Sequence, residues 1–136
     1  MRILLSGLKE KETGVQDWPA FQIFVMGENK WRGESEWPLK RTQYTPFYLH
    51  SGGGANSLNG DGALSTTQPD NAEKPDTFIY DPSNPVPTAG GNNLAGAPIG
   101  PRDQSEVELR DDVLVYTSEP LEKGLEVTGP VKAIIY

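Results

Sequence analysis

The sequence places one base directly beside a hydroxyl, His50 next to Ser51. A serine nucleophile needs a base within hydrogen-bond reach, and His50 is the one histidine of the chain. The serine, histidine and acidic residue of a catalytic triad normally come from distant segments, whereas these two residues are adjacent. The sequence also lacks G-x-S-x-G, the strained turn that presents the serine of many hydrolases. We therefore assign no catalytic residue and interpret His50 as a structural or exposed residue at a strand end.

Patterns that could bind phosphate or a metal ion are incomplete. The glycines at 52–54 are not followed by the Lys-Ser or Lys-Thr pair of a phosphate-binding loop. The segment 59–62 resembles part of a calcium loop, but that register puts Ser57 first and Gln68 last, where acidic ligands belong. The chain has no cysteine and one histidine, so zinc sites built on Cys or on several His residues are excluded. We predict no metal site and interpret 52–54 as a flexible connection.

Two larger groups of side chains admit both a functional and a structural interpretation. An acidic group with two interleaved arginines comprises Glu106, Glu108, Asp111, Asp112, Arg102 and Arg110. An aromatic group comprises Trp18, Trp31, Trp37, Tyr44, Tyr48 and Tyr80. Paired carboxylates can perform the acid–base chemistry of glycosidases, and aromatic rings can stack on sugars. We favour a solvated loop with local ion pairs for the first group and a hydrophobic core for the second.

The charge balance narrows the class of partner. Lys and Arg number 12 against 19 Asp and Glu, which gives a net charge of −7. Binding to nucleic acid or to anionic membranes depends on Lys and Arg, so both partners are disfavoured. The apolar run at 3–5 is too short for a signal-peptide core or a membrane span. We expect a soluble protein whose compartment the sequence does not identify.

The elements that must position these residues are predicted to be strands. Fifteen glycines and 12 prolines among 136 residues suit a turn-rich all-β chain. Apolar runs predict strands at 21–26, 47–49, 63–65, 77–80, 113–116, 125–127 and 131–136. The first run is nearly continuous and is expected to be buried on both faces.

The segments between the strands have their own signatures. A short helix is predicted within 2–13, where Gly14 would end it. A turn is expected at 27–30, followed by a polar loop in which Pro38 forbids a strand. The dipeptides Asn59-Gly60 and Asp61-Gly62 favour type I′ hairpin turns.

Two features suggest a part of a larger assembly. Residues 82–112 show no strand or helix pattern, and so long an irregular stretch indicates a functional loop or one packed on a partner. The chain ends within the apolar run 131–136, which would leave an unpaired sheet edge capable of self-association. We expect an incomplete domain, the alternative being that this last strand is central in its sheet.

Several stretches together resemble one family. They are Phe24-Val25-Met26-Gly27-Glu28-Asn29-Lys30-Trp31-Arg32, Glu36-Trp37-Pro38-Leu39, Tyr44-Thr45-Pro46-Phe47-Tyr48-Leu49, Phe78-Ile79-Tyr80-Asp81-Pro82-Ser83-Asn84-Pro85-Val86-Pro87, Gly90-Gly91, Gly100-Pro101-Arg102-Asp103-Gln104, Arg110-Asp111-Asp112-Val113-Leu114-Val115-Tyr116 and Glu126-Val127-Thr128-Gly129-Pro130-Val131. In order and spacing they resemble the group of serine hydrolases that contains cocaine esterase, α-amino-acid ester hydrolase (glutaryl acylase) and X-Pro dipeptidyl-peptidase. The resemblance covers nearly the whole chain from about Gly14.

The resemblance implies a partial, jelly-roll-like β-sandwich beside an α/β-hydrolase domain. Residues 1–18 would be the tail of the last hydrolase helix and a linker, and residues 19–136 the first part of the β domain. The family's Ser-Asp-His triad lies upstream, so no catalytic residue is transferred, and no cofactor is implied. Within 91–100, Leu94 and Ile99 would lie nearest the wall of the substrate pocket.

Two alternatives to a hydrolase segment remain open at the level of sequence. One is an autonomous β-sandwich module that binds sugar or peptide through its Trp and Tyr residues. The other is an interaction subunit that completes its sheet with another chain.

Overall fold

The computed structural model describes residue 7 and residues 12–70, 73–92 and 99–136. Its regular structure is almost entirely β, in two antiparallel sheets of two strands each. The strands are β1 (Phe21–Val25), β2 (Lys30–Glu34), β3 (Tyr48–His50) and β4 (Ala63–Ser65). The described residues also contain a 3-10 turn at Val15–Asp17, a one-turn helix α1 at Ser105–Glu108 and Gly7, which is assigned to a helix. The predicted all-β class is confirmed. Of the helix predicted within 2–13, residues 2–6 and 8–11 lie outside the described residues.

The chain divides into two compact units, Met1–Tyr44 with Glu126–Tyr136, and Thr45–Leu125. The first unit contains the β1–β2 hairpin, in which Phe24 is paired with Trp31 and Ile23 with Arg32. The turn between the strands has Gly27 at φ 90° and Asn29 at φ 55°, the left-handed region that Gly and Asn tolerate. The predicted turn at 27–30 is therefore confirmed, with Lys30 as the first residue of β2.

Two expectations for this hairpin are wrong. β1 is not buried on both faces, because Phe21 is 41% and Phe24 45% exposed and, within the part of the chain that the structure describes, β1 is paired with β2 alone. The segment after the turn is a strand and not a polar loop, because Pro38 lies beyond the end of β2 and interrupts no pairing.

The second unit contains the hairpin of β3 and β4, whose register pairs Tyr48 with Ser65 and His50 with Ala63. The type I′ turns predicted at Asn59-Gly60 and Asp61-Gly62 are wrong, because such a turn needs a positive φ at both central residues and none of these four residues has one. The predicted strand at 113–116 contributes one isolated bridge, between Leu114 and Asn56.

Three further predicted strands are not formed. Residues 77–80, 125–127 and 131–136 are assigned to no strand, so the predicted edge strand at the end of the chain is also absent. Residues of the last run are largely exposed, as Val131 at 85% and Ile135 at 81% show. The region 82–112 is not wholly irregular either, because it contains α1.

The expected aromatic core is also wrong. Trp18, Trp31, Trp37, Tyr44 and Tyr80 are between 40% and 70% exposed. The buried hydrophobic residues of the described chain are instead Leu39 and Ala55.

None of the described helices is long and apolar enough to cross a membrane.

Candidate functional site

His50 and Ser51 lie side by side at the end of β3, but their side chains bind different partners. Ser51 donates its hydroxyl to Oδ2 of Asp76 at 2.7 Å. His50 Nδ1 lies 2.6 Å from Oε1 of Glu73, and Nε2 lies 2.8 Å from the carbonyl oxygen of Thr67. The hydroxyl proton of the serine is thus directed at a carboxylate and not at the imidazole. The geometry agrees with the structural interpretation of His50.

The environment of His50 favours its charged form. The hydrogen bond to Glu73, followed by the bond to the Thr67 carbonyl, raises the pKa of His50 above its usual value of 6.5, against the opposing effect of burial. Both partners are acceptors, so each ring nitrogen must carry a hydrogen for both bonds to form. The imidazolium therefore joins β3 to two positions beyond the end of β4.

Asp76 is the centre of a hydrogen-bond network that the sequence did not reveal. Its carboxylate accepts from Ser51 Oγ at 2.7 Å, from the backbone N–H of Ala55 at 3.0 Å and from the Tyr116 hydroxyl at 2.5 Å. Burial alone would raise the pKa of Asp76, but these three donors outweigh it and lower the pKa. Burial and the bond to Asp76 raise the pKa of Tyr116 to about 12. Three separate segments are held together at this carboxylate.

The glycine run is ordered by an aspartate of the same loop. Asp61 accepts from the backbone N–H of Gly52 through Oδ2 at 2.9 Å and from that of Gly54 through Oδ1 at 3.2 Å. The run therefore binds an internal carboxylate and is a fixed turn, where we had expected a flexible connection. Among the residues that the structure describes, no group of three or more His, Asp or Glu side chains is placed to hold a metal ion.

One ion pair, between Arg110 and Asp112, is formed within the acidic group. Arg110 binds Asp112 through two contacts, Nε to Oδ1 at 2.7 Å and a terminal nitrogen to Oδ2 at 2.6 Å. The same guanidinium donates to the carbonyl oxygen of Asn84 at 2.8 Å. The hydrogen bonds from Arg110 lower the pKa of Asp112, which is therefore ionised at neutral pH and a poor general acid.

A surface depression of about 400 Å³ lies beside this ion pair. It is lined by Asn56, Thr77, Phe78, Ile79, Asp111 and Asp112. The Asn56 amide donates to the carbonyl oxygens of Thr77 and Asp111, at 2.9 and 2.8 Å, and so fixes the two sides of the depression.

A second ionic network occupies the first unit. Arg32 binds Glu126 through two hydrogen bonds of 3.0 and 2.6 Å and Glu34 through one of 2.8 Å. Arg41 also binds both oxygens of Glu34, a carboxylate that is 9% exposed. The hydrogen bonds from Arg32 and then Thr128 lower the pKa of Glu126 to about 2. This network ties β2 to the segment that begins at Glu126.

The other face of β1–β2 carries an exposed aromatic pair. The rings of Phe24 and Trp31 lie 5.5 Å apart at an angle of 60°, a favourable tilted arrangement. Trp31 is 70% exposed, and so is Met26, which lies in the turn between the two strands.

The predicted pocket-wall residues fall between Gly91 and Gly100 in the sequence, and these two glycines are hydrogen-bonded to each other. Gly91 and Gly100 exchange two backbone bonds, of 2.9 and 3.0 Å. Ile99, next to this bridge, is 61% exposed. Leu94 lies outside the described residues.

Comparison with known proteins identifies the family. Residues 13–136 match the family described as the X-Pro dipeptidyl-peptidase C-terminal non-catalytic domain. Over 119 residues the chain is 47% identical to a cocaine esterase from Rhodococcus sp. (strain MB1 Bresler). The aligned region covers 87% of this chain and 21% of the relative. Over 144 residues it is 26% identical to a candidate serine esterase from Mycobacterium bovis (strain ATCC BAA-935 / AF2122/97), across 100% of this chain and 20% of that protein.

The chain thus spans about a fifth of the length of these relatives. The family match covers more than nine-tenths of the chain, and it agrees with the ordered motifs that carry the resemblance. The chain belongs to the X-Pro dipeptidyl-peptidase C-terminal non-catalytic domain family.

Proposed function

We propose that this chain is a non-catalytic β segment of a serine ester or peptide hydrolase, of the esterase, acylase or X-Pro dipeptidyl-peptidase type. In the proposal, residues 1–18 are the tail of the hydrolase helix and a linker. Residues 19–136 form the first part of a jelly-roll-like domain that packs on the α/β-hydrolase domain and helps to shape its substrate pocket. The family match carries this proposal, supported by the similarity to a cocaine esterase over most of the chain.

The polar side chains support a non-catalytic role for the segment. Ser51 is bonded to Asp76 and His50 to Glu73, so the imidazole is not placed to accept the proton of this serine. The parent reaction would be acyl transfer to a serine outside this chain, followed by transfer to water. The isolated chain, incubated with a fluorophosphonate serine probe and a nitrophenyl ester, should show neither labelling nor turnover. Stoichiometric labelling would contradict the proposal.

The segment from Gly91 to Gly100 is the part we propose to approach the substrate. Gly91 and Gly100 are hydrogen-bonded to each other, and Ile99, next to Gly100, is an exposed apolar residue. Leu94 would share this role. In the full-length parent, Leu94→Asp and Ile99→Asp should each raise KM for an ester substrate with a smaller effect on kcat. Leu121→Asp is the matched control, because Leu121 is a comparably exposed apolar residue, at 59%, far from that segment in sequence. Equal KM values for all three variants and the parent would refute the pocket role.

The aromatic face of β1–β2 is the surface we propose to contact the hydrolase domain. Its opposite face carries Arg32 and Glu34 and is engaged by Glu126, whereas Phe24, Trp31 and Met26 are exposed. Exposed apolar patches mark interaction surfaces, and tryptophan is enriched among the residues that dominate them. Trp31 emission, isolated by comparison with Trp31→Phe, should be blue-shifted and protected from acrylamide in the parent but not in the isolated chain. Equal quenching in both would contradict this assignment.

A sugar- or peptide-binding module is the second candidate, favoured by the same exposed ring of Trp31. Titration of tryptophan fluorescence against an oligosaccharide panel separates the two proposals. Saturable quenching that is lost in Trp31→Phe would favour the binding module.

A further inference from the structure

We infer that His50 is a pH-operated latch that holds Thr67 and Glu73 against the end of β3 and releases Thr67 when the imidazole loses a proton. This inference concerns side chains that the proposed function does not use, and it does not depend on the hydrolase assignment.

The closed latch is defined by two short contacts around one ring. Nδ1 of His50 lies 2.6 Å from the Glu73 carboxylate, and Nε2 lies 2.8 Å from the Thr67 carbonyl oxygen. The His50 side chain is 20% exposed and that of Glu73 32%, so the pair is only partly screened by solvent. A carbonyl oxygen cannot donate, and so the bond to Thr67 exists only while Nε2 carries a hydrogen.

The open state has a hydrogen-bond donor already in place. Ser65 Oγ lies 3.3 Å from His50 Nε2, and it also accepts from the backbone N–H of Thr67 at 3.0 Å. When Nε2 loses its proton, two acceptors face each other across 2.8 Å and repel. Nε2 can then accept from the Ser65 hydroxyl, while Nδ1 keeps its hydrogen and its bond to Glu73. Deprotonation therefore exchanges the Thr67 carbonyl for the Ser65 hydroxyl as the partner of Nε2.

The direction of the pH dependence follows from the charges that face the ring. Glu73 is the charged group of the described residues that acts on His50, and Ser65 and Thr67 contribute uncharged groups. The hydrogen bond to Glu73 raises the pKa of His50 above 6.5. A group with a raised folded-state pKa contributes stability that is complete below its unfolded pKa and is lost as the pH rises through the folded pKa. The latch is closed in mildly acidic solution and opens toward alkaline pH.

Opening releases one stretch without unfolding the unit. Asp76, three residues after Glu73, remains bonded to Ser51, Ala55 and Tyr116. We expect the backbone around Thr67 to become more mobile while the Asp76 network stays intact.

The chain has one histidine, so its imidazole signals in two-dimensional NMR are unambiguous. Titration of the intact chain should give a His50 pKa above 6.5, with the Thr67 amide shift following the same curve and the Tyr116 ring signals unchanged. Glu73→Gln should lower the pKa of His50, because the charge is removed while an acceptor remains. Ser65→Ala should raise it, because the neutral ring loses its replacement donor.

His50→Gln and Glu119→Gln are the controls. The first should abolish the pH dependence of the Thr67 amide, and the second, at an exposed carboxylate, should leave it unchanged. A wild-type His50 pKa at or below 6.5, or a Thr67 amide that does not follow the imidazole, would overturn the latch. If Glu73→Gln fails to fold, the opposite shift predicted for Ser65→Ala still decides the question, since a merely structural histidine would not respond to that hydroxyl.

Discussion

Replacing Tyr116 by Phe tests whether the Asp76 network stabilises the second unit. The substitution removes one of three hydrogen bonds to the carboxylate and keeps the ring. A hydrogen bond to a charged group contributes about 1.5–3 kcal/mol, and here Asp76 retains two other donors, so we expect a loss of about 1–2 kcal/mol. Asp76→Ala removes all three bonds and leaves the N–H of Ala55 without its acceptor in a residue that is 0% exposed. We expect that variant to lose about 2–4 kcal/mol.

The pH profile provides an independent test of the same contact. The pKa of Tyr116 is raised from 10.0 to about 12, so the unfolded chain ionises this phenol before the folded chain does. The contribution of Tyr116 to stability is therefore complete below pH 10 and is lost as the pH approaches 12. In Tyr116→Phe this alkaline loss should be smaller than in the wild type.

Urea unfolding of the 136-residue chain, followed by circular dichroism at neutral and alkaline pH, measures both effects. Tyr80→Phe is the matched control, because its ring is in the same unit and is 65% exposed. The coupling energy of the cycle between Asp76→Asn and Tyr116→Phe should be about 1–2 kcal/mol, as expected for residues in contact. Additive losses, or an effect no larger than that of Tyr80→Phe, would refute the reasoning.

Two further predictions concern packing and charge. A Cβ at Gly62 would overlap the carbonyl oxygen of Val115, whereas one at Gly124 would meet nothing within 4 Å. Gly62→Ala should therefore cost about 2 kcal/mol or more in urea unfolding, with Gly124→Ala as the near-neutral control. The hydrogen bonds from Arg32 and then Thr128 lower the pKa of Glu126 to about 2, so their contribution to stability should be lost as the pH falls from 4.5 toward 2. In Glu126→Gln this loss of stability at acid pH should be smaller than in the wild type, and salt at about 1 M should reduce the difference between the two proteins. An equal loss in both would exclude a role for the pair of Arg32 and Glu126.

The strands that the sequence predicted correctly are those with a local apolar signal. β1 and β4 lie within predicted apolar runs, and β3 overlaps the run predicted at 47–49 but is displaced from it by one residue. β2 was missed because its sequence, Lys-Trp-Arg-Gly-Glu, has no alternation of apolar residues. Its polar side chains are bonded across the fold, with Arg32 contacting Glu126 over a separation of 94 residues. An ion pair between residues so far apart in the chain depends on tertiary structure and leaves no pattern in a short stretch of sequence.

The strand predicted at 77–80 fails for a related reason. Its composition favours a strand, but the amide of Asn56 binds the carbonyl oxygen of Thr77 and joins it to that of Asp111. The Asn56 side chain thus binds a carbonyl oxygen that a neighbouring strand would otherwise bind, and the composition of 77–80 gives no sign of this hydrogen bond.

The contacts of the candidate site could not be predicted from the sequence. His50 and Ser51 are adjacent, yet their side chains are bonded to two different carboxylates. Their partners, Glu73 and Asp76, lie 23 and 25 residues away in a stretch with no recognisable motif. Their roles became apparent only from the three-dimensional contacts.

The distribution of apolar surface connects the physical chemistry to the proposed function. The composition has 35% hydrophobic residues, yet Leu39 and Ala55 are the buried ones among the residues the structure describes. The first unit is instead held by the ionic network at Glu34, and the second by hydrogen bonds at Asp76. Polar networks of this kind fix positions well but leave apolar side chains such as Trp31 in water, at a free-energy cost of about 25 cal/mol per Å². Covering that surface would stabilise the chain, which is what packing on a hydrolase domain would accomplish.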